Sequence, residues 1–265
     1  MRNMIFLSLT SLITFACKPR FFNNPTAAME ATIKKGQKIY VEPTTTFKHN
    51  DIAVFDYLGE DYGSPPDDMG RYRLKEQKRT YRIIAISGDN FAIRNGEIYI
   101  NNILLPPPPL AKTEYEIDSK VDLPEIVAID PDQISVNPNG DTLKYIAPLT
   151  KEEANHYAQN RSIIFKIEKH IQQPTPFDTL YARASASGTW TMDDYGPLKI
   201  PSPGDSVLVN EINYKLYHNI PGIHQGLNVL REKLYFVMGD NRHWAQDSRF
   251  IGLISQSKMY GIVIE

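Results

Sequence analysis

Residues 239–252 read Gly-Asp-Asn-Arg-His-Trp-Ala-Gln-Asp-Ser-Arg-Phe-Ile-Gly, and they directly follow the apolar run Tyr235–Met238. A second informative segment, Pro-Thr-Ala-Ala-Met-Glu-Ala-Thr, occupies residues 25–32 near the other end of the chain. Between these segments, short runs of β-forming residues alternate with turns rich in glycine, proline and aspartate. The sequence therefore predicts a mostly β protein with two distant polar motifs.

The candidate strands are spread over most of the chain. They are Lys38–Glu42, Asp51–Tyr57, Tyr72–Ile86, Phe91–Ile93, Glu97–Ile100, Ser162–Ile167, Ser206–Val209, Asn213–Tyr217, Tyr235–Met238 and Met259–Ile264. Asn95-Gly96 is a strong signal for a tight hairpin. Thr150 and Glu153 form a capping-box pattern, which predicts one clear helix over Lys151–Arg161.

Composition excludes several classes of function. The chain has 265 residues, 42% of them hydrophobic, which is enough for a sizeable buried core. The formal net charge is −2, so no basic surface indicates a nucleic-acid partner. The single cysteine, Cys17, can form neither an intramolecular disulfide nor a cysteine-based zinc site. The six histidines lack metal-ligand spacing, so no metal or cofactor is expected.

The N-terminus carries a short apolar run, Met4–Ala16, behind Arg2. A bilayer-spanning helix needs roughly 20 apolar residues, so this run has the size of a signal-peptide core instead. Ala16-Cys17 resembles the lipobox of bacterial lipoproteins, although Thr14 stands where that motif has an aliphatic residue. We expect a leader at residues 1–16 and lipidation of Cys17. A signal anchor or an ordinary cleaved signal remains the alternative.

The two polar segments resemble the motifs of type I signal peptidases, membrane-bound serine proteases that use a Ser/Lys dyad. That family reads Pro-Ser/Thr-x-Ser-Met-x-Pro-Thr around its nucleophile and Gly-Asp-Asn-Arg-x-x-Ser-x-Asp-Ser-Arg-x-x-Gly near its C-terminus. Three further blocks, at residues 36–39, 50–55 and 82–89, are similar to family segments in the same order. Residues 104–231 resemble an insertion found in one branch, including its Trp190–Leu198 signature.

The resemblance implies a fold and a division of the chain. The implied fold is a signal-peptidase-like antiparallel β core with an inserted, smaller β-rich domain that carries one helix. The core comprises residues 25–103 plus 232–265, the inserted domain residues 104–231, and a membrane-proximal tether residues 17–24.

The same resemblance implies that the catalytic positions have been substituted. Ala28 stands at the nucleophile, Tyr81 at the general base and Ala245 at the serine that orients the base. A tyrosine with an ordinary pKa near 10 is a poor base, and the members of a catalytic unit act together. We therefore expect no intact catalytic residue.

Other matching positions are kept. Thr26 falls where a hydroxyl helps to form the oxyanion hole, and the backbone N–H of Ala28 still supplies the second donor. The retained structural positions of the C-terminal motif are Asp240, Asn241, Arg242, Asp247, Ser248 and Arg249. A site of this kind keeps groups that hold a peptide carbonyl.

Few residues offer a substitute dyad. Lys78 lies three positions before Tyr81, and an odd shift reverses the face of a strand. His243 is the histidine expected near the site, and Trp244 beside it is expected to be a packing residue.

The sequence thus predicts a membrane-anchored, signal peptidase I-like protein that has lost hydrolytic activity and binds extended or signal peptides. The family adds its substrates as a β-strand, which requires neither serine nor lysine. Its expected location is the extracytoplasmic, periplasmic side of the bacterial envelope. Two alternatives stay open: an active serine endopeptidase with an atypical dyad, and a structural subunit of an active signal peptidase or export complex.

Overall fold

The fold was analysed in a computed structural model. It describes residues 20–60, 67, 70, 73–122, 134–139, 141–174, 181–184 and 190–264. The expected leader at residues 1–16 and the lipidation candidate Cys17 lie outside the described residues.

The described chain is mostly β, with three short α-helices. The strands are β1 Arg20–Asn23, β2 Lys38–Pro43, β3 Ile52–Glu60, β4 Leu74–Ile86, β5 Asn90–Arg94, β6 Glu97–Ile100, β7 Ile103–Leu105, β8 Lys112–Ser119, β9 Ser135–Asn139, β10 Thr142–Thr150, β11 Ile164–Lys169, β12 Tyr195–Lys199, β13 Ser206–Val209, β14 Gly226–Val229, β15 Leu234–Met238, β16 Ile254–Ser255 and β17 Met259–Val263. The helices are α1 Lys151–Ala158, α2 Tyr214–Tyr217 and α3 Ser248–Ile251, and two 3-10 turns span Ala27–Met29 and Gln256–Lys258.

A seven-stranded antiparallel sheet holds both polar motifs. Its strand order is β1-β2-β17-β3-β4-β15-β16. β3 and β4 form a long ribbon that runs from the Ile52–Arg82 pair to the Glu60–Leu74 pair. The 25–32 segment connects β1 to β2, and the 239–252 segment follows β15, which pairs with β4. The sheet therefore brings the two ends of the sequence to one region.

A second sheet, in the order β12-β5-β6-β7, packs beside the first. The hairpin predicted at Asn95-Gly96 is confirmed, since β5 and β6 pair across it and both residues have positive φ angles. Positive φ at both central positions is the requirement that Asn-Gly meets. β12 pairs with β5, so residues 195–199 form an edge strand of this second sheet.

The third sheet, in the order β11-β8-β10-β9, carries α1. The capping box is confirmed: Thr150 Oγ1 accepts from Glu153 N at 3.1 Å, and Glu153 Oε2 accepts from Thr150 N at 2.7 Å. α1 ends at Ala158, three residues before the predicted end at Arg161. A separate cluster that includes Tyr145 and Leu149 forms the core of this sheet.

One predicted strand is wrong: the run Asn213–Tyr217 contains the helical turn α2. Asn210 and Asn213 bind each other's backbone N–H through their side chains, at 2.8 and 3.2 Å, and this creates a turn. Leu216 and Tyr217 are buried, so a helical turn satisfies the same apolar residues that suggested a strand.

Two apolar clusters surround the main sheet. One contains a group of rings in which the Phe91 and Phe236 centroids lie 4.2 Å apart and those of Trp190 and Tyr195 lie 4.6 Å apart. The other cluster contains Ala28, Tyr81 and Ala245 together with β-sheet residues.

Candidate functional site

Ala28, which is expected at the nucleophile position, lies in a short 3-10 turn, Ala27–Met29, that begins after Thr26. The side chain of Thr26 caps this turn, and its Oγ1 accepts a hydrogen bond from the Ala28 N–H at 3.4 Å. The two groups expected to hold a carbonyl oxygen therefore lie side by side and contact each other. Ala28 itself is buried, whereas Thr26 is half-buried.

Tyr81 lies on β4 and is buried. Its hydroxyl donates to the Gln246 carbonyl at 3.1 Å, and its ring packs against Phe55 with centroids 5.8 Å apart. Burial raises the pKa of Tyr81 well above its usual value, with the Asp247 charge acting in the same direction and Arg79 opposing it. A phenol that stays protonated and uses its proton for a structural hydrogen bond does not act as a base.

Ala245 belongs to the motif loop, which we define as residues 239–247 between β15 and α3. A Cβ atom added to Gly239 would clash with both the Ala245 methyl group and the Ala28 carbonyl oxygen. The Asn241 N–H also donates to the Ala28 carbonyl at 3.0 Å. The absence of a side chain at Gly239 thus lets the motif loop lie directly against the 3-10 turn.

These contacts bring the three substituted positions together. Gly239 is adjacent to both Ala28 and Ala245, and Tyr81 bonds to the residue that follows Ala245. All three positions belong to one apolar cluster, and each has an exposed fraction of 3% or less. At these three positions the protein has packed methyl groups and an aromatic ring.

The first ion pair of the motif loop joins Asp240 to Arg82 of β4. Arg82 binds it in a bidentate manner, with Nε 2.9 Å from Oδ1 and Nη2 2.6 Å from Oδ2. The Thr32 hydroxyl donates to Oδ2 of the same carboxylate at 2.6 Å. This arrangement ties the segment after the 3-10 turn, β4 and the motif loop into one unit.

The second ion pair, between Asp247 and Arg249, stabilises the end of the motif loop. Arg249 and Asp247 are buried and form a bidentate pair with distances of 2.9 and 2.8 Å. Asp247 Oδ2 also accepts from Gly239 N at 3.1 Å, and Arg249 donates to the Arg242 carbonyl. Ser248 Oγ accepts from the Val237 N–H at 2.9 Å, which joins α3 to β15.

Sequence reasoning did not assign roles to Thr32, Arg82 and Gly239. Arg82 and Gly239 lie inside segments that resemble family motifs, and this resemblance was the one sequence feature that could have pointed to their roles. Both Arg82 and Thr32 bind Asp240, which lies 158 residues after Arg82 and 208 residues after Thr32. Spacing along the sequence therefore did not reveal these contacts.

No substitute base reaches Thr26 among the residues that the structure describes. Lys78 Nζ instead pairs with Asp56 at 2.6 Å, which agrees with the expectation that it lies on the other face of β4. His243 accepts from the Glu114 N–H at 3.2 Å and donates to Asp193 at 3.2 Å. Burial works to raise the pKa of Asp193, but the hydrogen bond from His243 holds it below its usual value.

Trp244, which was expected to be a packing residue, is 49% exposed, so this expectation is wrong. The Trp244 N–H bonds to the Asn241 carbonyl at 3.2 Å, and this tight turn directs the side chain outward while Ala245 points inward.

The described residues contain no group of three histidine or acidic side chains that could hold a metal ion. Within the same residues, no helix combines the length and apolar character that crossing a membrane requires.

Together, an antiparallel β core and a motif loop held by two buried ion pairs define a protein built on a peptidase framework. A family model described as signal peptidase, peptidase S26, matches residues 2–264, nearly the whole chain, so the chain belongs to the signal peptidase family. A search of curated proteins gave no match to the chain.

Proposed function

We propose that this member of the signal peptidase family binds extended, signal-peptide-like segments and does not hydrolyse them. One observation carries the proposal: Tyr81 fills the position of the base and donates its hydroxyl proton to the Gln246 carbonyl. With alanine at the nucleophile and at the orienting position, the site lacks the nucleophile, the base and the orienting serine of the Ser/Lys mechanism.

Support for peptide binding comes from the carbonyl-binding pair. The Thr26 hydroxyl and the Ala28 N–H lie 3.4 Å apart, and Thr26 is accessible enough to meet a ligand. A peptide carbonyl that approaches Thr26 takes a hydrogen bond from its hydroxyl, while main-chain pairing supplies most of the affinity.

Membrane attachment is part of the proposal. β1 begins three residues after Cys17, and its Phe21 is 62% exposed. Phe21 pairs with Tyr40 on β2, and the Lys38 amine lies 3.9 Å from the centroid of the Phe21 ring. Exposed aromatic and cationic side chains beside a lipidated cysteine suit the surface of a membrane. We place the domain on the extracytoplasmic side of the envelope.

A structural role is the second candidate. The burial of Ala28, Tyr81 and Ala245 favours it, because a filled site leaves a folded scaffold. Such a subunit would pair with an active signal peptidase or an export complex. An atypical dyad has less support, because the Lys78 amine pairs with Asp56 and the His243 ring bonds to Asp193 and to the Glu114 N–H.

The test uses the full chain with a preprotein and with its isolated signal peptide. Cleavage is followed by mass spectrometry, and binding by calorimetry. We expect binding without cleavage, weakened by Thr26→Val but not by the matched control Thr46→Val, whose side chain is exposed. Cleavage that Thr26→Val abolishes would overturn the proposal, and neither binding nor cleavage would favour the structural subunit.

A further inference from the structure

A cavity of about 410 Å³ lies away from the three substituted positions, where residues 104–151 meet the motif loop. Its walls come from the β6–β7 hairpin, the prolines at 106–108, the beginnings of β8 and α1, and Arg242 of the motif loop. None of Thr26, Ala28, Tyr81 and Ala245 lines it. This size lies within the usual range for small-molecule sites.

Much of the cavity wall is apolar. Ile84, Ile93, Ile98 and Met238 line it and belong to the buried cluster beneath the second sheet. Backbone hydrogen bonds join the beginning of β8 to the motif loop and close the cavity on this side. The Lys112 N–H donates to the Asp240 carbonyl at 2.7 Å, and the Lys112 carbonyl accepts from the Arg242 N–H at 2.9 Å. An aliphatic group would find a preformed surface here.

Arg242 is the unusual member of the wall. Its side chain is buried, and neither Nη1 nor Nη2 has a hydrogen-bond partner among the described residues. The other two arginines of the site, Arg82 and Arg249, each hold a carboxylate in a bidentate pair. A buried guanidinium without such a partner is costly, so Arg242 is poised for an anion.

Arg242 remains a cation at neutral pH. Burial lowers its pKa to about 10, with the nearby Asp240 charge opposing that shift. Lys112 and Lys151 also line the cavity, and neither meets an acidic partner among the described residues.

The acidic residues of the wall are already engaged. Glu97 is paired with Lys169 at 2.8 Å, and Asp193 is paired with His243 at 3.2 Å. The wall therefore combines an apolar surface with an excess of positive charge and one unpaired guanidinium.

We propose that this cavity binds a small molecule that has an aliphatic body and one carboxylate. The aliphatic body packs against Ile84, Ile93 and Met238. The carboxylate lies beside the positive charges of Arg242 and Lys112, which both line the cavity. A medium-chain fatty acid and a short apolar peptide with a free C-terminus both present this chemistry.

Calorimetry on the full-length chain tests the proposal with four probes: decanoate, 1-decanol, acetate, and acetyl-trileucine with a free carboxylate. We expect saturable binding of decanoate or acetyl-trileucine, and which of them binds identifies the source of the carboxylate. 1-Decanol lacks the charge, so it binds at least about tenfold more weakly than decanoate, as the loss of a charge-assisted hydrogen bond implies. Acetate lacks the aliphatic body and does not saturate.

Two variants locate the site. Arg242→Gln weakens binding at least about tenfold, whereas the control Arg231→Gln, at an exposed arginine outside the cavity, leaves it unchanged. Ala111→Trp fills the cavity from its half-buried rim without touching Arg242 and also abolishes binding, so the test holds even if Arg242→Gln fails to fold.

No saturable binding of either carboxylate to the wild-type chain overturns the proposal. Equal binding by wild type and Ala111→Trp overturns it as well, because the ligand would then occupy another site. Peptide binding at Thr26 is measured separately, so failure of one proposal leaves the other standing.

Discussion

Replacing Tyr81 by phenylalanine isolates the hydroxyl that is expected to occupy the base position. The change keeps the ring and its packing against Phe55, and it removes only the hydrogen bond to the Gln246 carbonyl at 3.1 Å. A hydrogen bond of this kind contributes about 1 kcal/mol to the free energy of unfolding. We therefore expect Tyr81→Phe to lower the melting temperature by about 2–4 °C for a chain of this size.

The same substitution changes the dependence of stability on pH. Burial raises the pKa of Tyr81 in the folded state above its usual value of 10.0. Above pH 10 the unfolded chain loses this proton and the folded chain keeps it, so wild-type stability falls as pH rises. This loss amounts to about 0.8 kcal/mol by pH 10.5, and Tyr81→Phe does not suffer it.

The assay is urea denaturation of both proteins at pH 8.0 and pH 10.5. Tyr260→Phe is the matched control, because the Tyr260 hydroxyl is buried and has no hydrogen-bond partner among the described residues. The centroids of the Tyr260 and Phe22 rings lie 5.1 Å apart. At pH 8.0 we expect Tyr81→Phe to be destabilised and Tyr260→Phe to be neutral or stabilised. By pH 10.5 the deficit of Tyr81→Phe nearly disappears.

Two results would refute this reasoning. If Tyr81→Phe matches wild type at pH 8.0, the hydroxyl is not a structural donor. If its deficit keeps the same size at pH 10.5, the Tyr81 proton is not held by burial, and the argument against Tyr81 as a base fails.

Three further predictions concern the site and its framework. Asp247→Ala leaves Arg249 buried and without its carboxylate, so it should lower the free energy of unfolding by about 3–5 kcal/mol in urea titrations. The double variant Asp247→Leu/Arg249→Met should recover most of this loss, because it removes the buried charge as well. Ala28→Ser combined with Tyr81→Lys should produce preprotein cleavage that mass spectrometry detects, while each single variant stays inactive. The reason is that burial lowers the pKa of the new lysine and that the two members of a dyad act as a unit. A single variant as active as the double variant would contradict this prediction. Thr150→Ala removes the capping box of α1 and should cost about 1 kcal/mol by chemical denaturation, and an unchanged midpoint would count against the cap.

Local features could be predicted from the sequence where one residue type meets a steric or hydrogen-bonding need. Asn95-Gly96 predicted a hairpin that requires positive φ, and Thr150 with Glu153 predicted a helix start. The run Asn213–Tyr217 misled because its apolar residues suit a strand or a helical turn equally. The exposure of Trp244 was missed for a related reason, since residue type does not reveal which way a loop turns.

The sequence by itself determined the mostly β class, the family resemblance and the identity of the residues at the substituted positions. Residue 28 is alanine and residue 81 is tyrosine whatever the fold, so the proposed loss of the dyad rests on residue identities. Only the tertiary structure decided what replaced that chemistry: a tyrosine hydroxyl bonded to the motif loop, and an arginine left unpaired beside an apolar cavity. Those outcomes depend on contacts between segments far apart in the chain, because the partners of a buried polar group are set by packing and not by local sequence.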